Sequence, residues 1–291
     1  MRILVTGADG QLGHALRPVL EPRHTVQWTD LHQLDVCDPA SVRAGVRAAA
    51  PEVILHLAAW TDVDRCEAEP EQAFRVNALG TRHVAQAAVE AGARLVFLST
   101  DYVFDGRQER SYREEDAPRP LNVYGRSKLD AEATVQALVA GHRIVRTSGL
   151  FGAGERNFPA AILRASARDG RVRVVTDQVC RPTYAGHLAE ALGAILTSTA
   201  NGIVHVASAG ATSWFEFARA VLRAAGADPD VVDPISSEAL GRPARRPANS
   251  VLDTAVYDAA SGRPLPHWSE GLADFLAARR SAGASGRGEP T

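Results

Sequence analysis

Short apolar runs recur along the first half of the chain at 2–6, 25–29, 53–57, 95–99 and 143–146. Each is about five residues and mostly apolar, the pattern of strands buried on both faces. Between them, apolar positions at helical spacing mark helices over 11–20, 39–49, 70–91 and 123–139. Asp38 before Pro39 reads as the N-cap of the second. Strands alternating with helices predict a parallel sheet covered by helices. Beyond about residue 150 the pattern loosens. Helices are expected at 157–167, 184–197, 214–225 and 265–279, with loops such as Asp228-Pro229-Asp230 and Arg242-Pro243-Ala244 between them. The apolar run 203–207 reads as a strand with no assigned place. Residues 281–291 are small, polar and glycine-rich and are expected to form a disordered tail.

Composition narrows the class. With 32 Lys+Arg against 34 Asp+Glu the net charge is -2, which lacks the basic footprint of nucleic-acid binding. A hydrophobic share of 45% with 23% charged residues excludes broad disorder. Cys37, Cys66 and Cys180 are odd in number and far apart, suggesting neither a disulfide framework nor a zinc site. The apolar run at the N-terminus is too short for a signal peptide, and no stretch approaches the ~18 apolar residues of a membrane span. The expectation is a soluble cytoplasmic enzyme with no membrane or nucleic-acid partner.

Gly7-Ala8-Asp9-Gly10-Gln11-Leu12-Gly13 joins the first strand to the first helix. Glycines there permit a tight turn, close approach of a pyrophosphate and close helix–strand packing, while helix-start N–H groups face the anion. Alone such a motif is weak; its position after the first strand marks Gly7, Gly10, Gln11, Leu12 and Gly13 as a dinucleotide loop. Asp30 ends the second strand, where a carboxylate accepts hydrogen bonds from adenosine ribose hydroxyls. Its charge repels a 2′-phosphate and favours NAD, but Arg23 or His24 could approach that phosphate, so NADH and NADPH both stay open. The blander reading of Asp30 is a strand-end turn residue. Ala58-Ala59-Trp60-Thr61 ends the third strand with small residues suited to the nicotinamide-side ribose and phosphates, although Trp60 reads equally as a packed aromatic. The fold class is therefore α/β: a Rossmann-type doubly wound parallel sheet over 1–150, a smaller C-terminal α/β substrate lobe over 151–280, and some crossing of the chain between them.

Tyr124 and Lys128 are spaced i, i+4, so phenol and ammonium share one helix face. A nearby cation lowers a phenol's pKa, and Tyr124 can then protonate the alkoxide formed as hydride reaches a carbonyl. Thr100, at the end of the fourth strand, can hydrogen-bond that carbonyl oxygen. The alternatives are a surface helix pair and a Ser-Thr-Asp turn.

The glycine spacing resembles that of the extended short-chain dehydrogenase/reductases. The further runs Ala58-Ala59-Trp60-Thr61-Asp62-Val63-Asp64, Ser99-Thr100-Asp101-Tyr102-Val103-Phe104, Tyr124-Gly125-x-x-Lys128, Arg146-Thr147-Ser148, Asn157-Phe158, Arg181-Pro182-Thr183 and Pro243-Ala244-Arg245-Arg246-Pro247 are similar to dTDP-4-dehydrorhamnose reductases over about residues 1–279. The resemblance implies reduction of a dTDP-4-keto-6-deoxyhexose by NADPH or NADH, with Tyr124 as proton donor and Lys128 on the nicotinamide ribose. It places Asp35 and Val36 against the adenine, and Thr100, Asp101, Phe104, Tyr124, Gly149, Asn157, Arg181 and Arg246 on the substrate. Arg245 and Arg246 suit a diphosphate, or form a solvated charge cluster. The 4,6-dehydratases carry Asp-Glu where this chain has Asp101-Tyr102, which argues for reduction without elimination. Members of the resembled family commonly carry tryptophan where this chain has Gly149, so a wider sugar pocket is expected, and with it a related 4-keto sugar of the dihydrostreptose or antibiotic type. Some relatives bind magnesium at a dimer interface; no clustered acidic motif here points to a metal, and a homodimer is left open. Epimerases and dehydratases would share the cofactor loop, and the regulatory β subunit of methionine adenosyltransferase resembles the family while acting by binding a partner.

Overall fold

The computed structural model describes residues 1–285. Its centre is a six-stranded parallel sheet in the order β2-β1-β3-β4-β5-β10. The strands are β1 (Arg2–Thr6), β2 (Thr25–Thr29), β3 (Val53–His56), β4 (Arg94–Thr100), β5 (His142–Thr147) and β10 (Gly202–His205). Successive residues send side chains to opposite faces. Ile3 and Val5 join α1 (Gln11–Leu20) and α8 (Ala185–Thr197) on one side, while Leu4 joins α2 (Pro39–Ala49), α5 (Gly80–Ala91) and α6 (Val123–Leu138) on the other. Strand order reverses between β1 and β3, so the crevice for a ligand opens at their carboxyl ends.

The apolar run near 203 thus finds its place as the edge strand β10 beside β5, covered by α8, which also packs on α1. Both come from beyond residue 150, because the chain leaves the sheet after β5, builds much of the lobe and returns to add one more helix–strand unit. The intervening elements are β6 (Leu150–Phe151), α7 (Phe158–Asp169), β7 (Val172–Val175), β8 (Val179–Cys180) and β9 (Thr183–Tyr184). With α9 (Trp214–Ala224), α7 and β7 enclose a lobe core of Phe151, Phe217, Phe275 and Ile162.

Two expected helices differ in detail. The segment 70–91 is broken into α3's successor α4 (Pro70–Phe74), a π-helical turn Arg75–Leu79 and α5; α3 itself is Val63–Ala68. Asn77 is buried in the turn, where its side chain binds the Trp60 backbone and Ser127 Oγ instead of facing solvent. The expected helix from 265 begins as a short strand, Leu265–His267, and becomes helical at Trp268. That helix runs through Ser285, past the expected start of the tail at 281; residues 286–291 lie outside the described residues. Among the described residues no helix is long and apolar enough to cross a membrane.

Two histidines are locked into the core. His56 Nδ1 lies 2.7 Å from Thr6 Oγ1 and its Nε2 3.1 Å from Thr81 Oγ1. His205 Nδ1 lies 3.1 Å from the Tyr112 carbonyl. Burial holds both rings down to about 3, helped by Lys128 near His56 and Arg146 near His205. Between that value and the unfolded value of ~6.5 the unfolded chain binds more protons, so stability falls as pH drops through this window. Asp101, which burial raises to about 6, acts in the opposite sense between that value and ~4. His56→Gln is expected to flatten the acid limb of urea midpoint against pH; an unchanged limb would assign it elsewhere.

Candidate active site

The glycine loop is built by contact. Gly7 has φ +72°, and a Cβ there would lie 2.7 Å from the Ala58 backbone; one on Gly13 would lie 2.1 Å from the Ala8 carbonyl oxygen. Gly10 caps α1 without a side chain, so the first N–H groups of α1 keep no side-chain acceptor. Gln11 Oε1 and Thr147 Oγ1 are buried without a hydrogen-bond partner. Gln11 lies at the loop and Thr147 at the carboxyl end of β5. Uncapped amides, a cradle closed to any Cβ and two orphaned polar atoms fit a polar dinucleotide along this edge.

Asp30 accepts from Asp9 N at 2.8 Å and Leu31 N at 2.7 Å, which fixes its carboxylate beside the loop. Asp35 accepts from Cys37 N at 2.8 Å, and Val36 is buried under α5, with His83 Nδ1 2.9 Å from its carbonyl oxygen. Ala58, Ala59 and Trp60 are partly exposed and Thr61 is open to solvent. The backbone of Trp60 is held at both ends by Asn77, whose Oδ1 accepts from Trp60 N at 2.7 Å and whose Nδ2 donates to Trp60 O at 3.1 Å. The same Nδ2 donates to Ser127 Oγ at 3.0 Å on α6, so one amide ties the β3 exit to the helix of Tyr124 and Lys128. Sequence reasoning missed Asn77; its only signal is a polar residue at a helix position that should be apolar.

Thr100, Tyr124 and Lys128 converge at the carboxyl end of β4. Asn122 caps α6 by accepting from Gly125 N at 2.8 Å, which brings the first turn, and Tyr124 with it, over Thr100. Burial raises the Tyr124 phenol above its ordinary value; the Asp101 charge adds to this, and hydrogen bonding with Thr100 opposes it. Lys128 is buried and held down to about 7 by desolvation. Its Nζ donates to Leu98 O at 2.7 Å and lies 4.0 Å from the Phe97 ring centroid. The expected lowering of the phenol by Lys128 is therefore not what this geometry gives: the ammonium is turned to a carbonyl and a ring face, and the phenol is kept as a neutral acid.

Behind these groups lies a buried ion pair. Arg146 donates to Glu132 through Nε at 2.9 Å and Nη2 at 2.6 Å, and Ser99 Oγ donates to the same carboxylate at 2.5 Å. Ser99 precedes Thr100, and Glu132 follows Lys128 by one helical turn, so the pair braces both.

A cavity of about 350 Å³ opens in the lobe, lined by Tyr102, Phe158, Val174, Gln178, Trp214 and Arg246 among others. Arg246 reaches it but is bound through both terminal nitrogens to Asp64, at 2.8 and 2.9 Å. Arg245 is exposed. Three expected substrate residues are engaged within the protein. Phe104 is fully buried, stacked on Tyr112 with ring centroids 4.2 Å apart, because the 3-10 turn Asp101–Val103 that follows β4 delivers it into the core. Asn157 caps α7, accepting from Ala160 N and donating to Gly152 O and Gly154 O. Arg181 donates to Thr254 Oγ1 at 3.1 Å and is not among the residues lining this cavity. Gly149 has φ +55°, and the expected widening above it is not found: a Cβ there would meet Pro182 Cα at 3.1 Å and Trp214 Cη2 at 3.4 Å. Trp214, at the start of α9, occupies that space while its ring packs on Phe158 with centroids 4.5 Å apart.

A family model for the RmlD substrate binding domain matches residues 1–281. A dTDP-4-dehydrorhamnose reductase of Streptomyces griseus is 44% identical, over 99% of this chain and 97% of its own. A dTDP-4-keto-6-deoxy-D-glucose reductase of Streptomyces niveus is 38% identical, over 93% of this chain and 95% of its own. Among solved structures, a dTDP-4-dehydrorhamnose reductase of Bacillus anthracis in complex with NADP superposes with a TM-score of 0.91 at 37% identity, covering 95% of this chain and 98% of that one. With glycine loop, Tyr124–Lys128 pair and lobe cavity all in one matched stretch, the chain belongs to the RmlD substrate binding domain family.

Proposed function

We propose that this protein reduces the C4 ketone of a dTDP-4-keto-6-deoxyhexose with NADPH or NADH. The observation that carries the reading is the meeting of Thr100 and Tyr124, with Lys128 one turn behind, at the sheet edge beside an uncapped glycine loop. Bound NAD(P)H supplies the hydride. Gly7, Gly10 and Gly13 with the first turn of α1 hold its pyrophosphate, and Asp30 its adenosine ribose. Ala58, Ala59 and the Asn77-fixed Trp60 backbone flank the nicotinamide side. Tyr124, kept neutral by burial, is the acid that gives its proton to the C4 oxygen as charge develops there. Lys128 can turn from Leu98 O to a cofactor hydroxyl. The lobe cavity takes the nucleotide, with Phe158 and Trp214 as aromatic walls and Arg246, one of the arginines lining it, as a cation for the diphosphate. Support for the substrate class comes from the relatives' activities.

Asp30 is the simplest place to test cofactor choice. Removing its charge with Asp30→Asn should raise the NADPH to NADH ratio of kcat/KM about tenfold, the size of a like-charge contact near the surface. A ratio that does not move would place the 2′-phosphate away from Asp30. The function itself is tested by following NADH and NADPH oxidation with dTDP-4-keto sugars of both 5-configurations: one cofactor oxidised per sugar consumed is expected, and sugar conversion without net oxidation would favour an epimerase or dehydratase.

A further inference from the structure

A hydroxyl has one proton to donate and two lone pairs. Thr100 Oγ1 donates its proton to Asp101 Oδ1 at 3.1 Å, accepts from Tyr102 N at 3.2 Å and is hydrogen-bonded to the Tyr124 phenol. While Asp101 is ionised, Thr100 has no donor left for a ketone oxygen. Asp101 itself is 3% exposed, and the groups that meet its carboxylate are the hydroxyls of Thr100, Ser148 and Ser250 and its own amide, with Ser148 Oγ at 2.9 Å. The titratable groups facing it are Tyr102 beside it in the chain, Tyr124 on α6 and Cys180 on β8. The guanidinium of this region, Arg246, faces Tyr102 and is paired with Asp64.

We infer that Asp101 is a positioning residue that works in its protonated form, donating to Thr100 and so turning the Thr100 hydroxyl toward the substrate's C4 oxygen. This rests on the reductase reading above. The Asp101 proton stays between Asp101 and Thr100, and Thr100 shares its own proton with the C4 oxygen without losing it. Hydride goes from cofactor to C4, the Tyr124 proton goes to the oxygen, and solvent restores the phenol after release. Neutral Asp101 also removes a buried negative charge from beside the developing alkoxide.

Burial raises the Asp101 carboxyl to about 6 against the pull of its three hydroxyl partners. The neutral fraction of such a group falls about fourfold between pH 5 and 6.5. The wild-type protein is expected to lose about fourfold in kcat/KM over that interval, a range in which Lys128, titrating near 7, changes little. Asp101→Asn, whose amide can donate to Thr100 at every pH, should hold its rate level from pH 5 to 6.5. Ser148→Ala removes a bond that favours the charged form and should move the fall to higher pH. Carbon NMR of labelled aspartate gives a readout without turnover: a carboxyl titrating near 6 in the wild type, absent in Asp101→Asn and higher in Ser148→Ala. A fourfold fall that persists in Asp101→Asn, or a carboxyl titrating near 4, overturns the role. Turnover absent at every pH with all dTDP-4-keto sugars, beside a carboxyl titrating near 6, would instead overturn the reductase reading and this role with it.

Discussion

Tyr124→Phe is expected to lower kcat by about 10²–10⁴-fold, the usual worth of a positioned proton donor, while NADH and NADPH dissociation constants stay near wild type. The phenol is the neutral acid at the junction of β4 and α6, and its removal leaves the glycine loop and Asp30 untouched. The ring packs in a small cluster with Cys66, Ala73, Val123 and Trp60 and meets Tyr102 edge-on, with centroids 6.2 Å apart; phenylalanine keeps those contacts. A variant within threefold of wild-type kcat would show that the proton comes from elsewhere. Stopped-flow oxidation of the bound cofactor would separate loss of chemistry from slow product release.

The largest effect on stability is expected at the ion pair beneath the site. Glu132→Ala leaves the Arg146 guanidinium buried at 2% exposure without its carboxylate, which costs about 3–5 kcal/mol. His205 Nε2, 3.4 Å from Arg146, and the Phe104 ring face cannot replace that charge. Urea unfolding should show the loss in the midpoint with little change in slope. The double variant Glu132→Leu with Arg146→Met should recover much of it, because apolar residues of similar volume often replace a buried pair at little cost. A single-variant loss below ~1 kcal/mol, the range of exposed pairs, would contradict the pair's burial.

Much of this architecture was legible in the chain because its signals are local. Five of the six central strands, and helices α1 and α2 to the residue, follow from apolar periodicity and from an Asp38-Pro39 start. The sixth was legible as a strand but not in its place, since β10 reaches β5 only after the chain has built much of the lobe, and parallel pairing leaves no local trace. The π-helical turn at 75–79 escaped because apolar spacing runs through it unbroken and only buried Asn77 reveals it. At the site, loop glycines and the Tyr124–Lys128 spacing can be read directly, because backbone conformation and helix geometry restrict what such residues do. Phe104, Asn157 and Arg181 could not be sorted that way. A motif residue that caps a helix or fills a core looks the same in sequence as one that touches a ligand. Gly149 misled for a related reason: the room a missing side chain leaves depends on what packs there, and Trp214 comes from an element more than sixty residues along the chain.

The central claim is hydride transfer from a nicotinamide to C4 of a nucleotide-linked 4-keto sugar. Its most direct measurement is a turnover with NADH deuterated at the transferable C4 position, followed by NMR and mass analysis of the sugar nucleotide. The account predicts a product with one deuterium on C4, matched by an equal amount of oxidised cofactor. A converted sugar without deuterium at C4, or with the cofactor returned reduced, would contradict it.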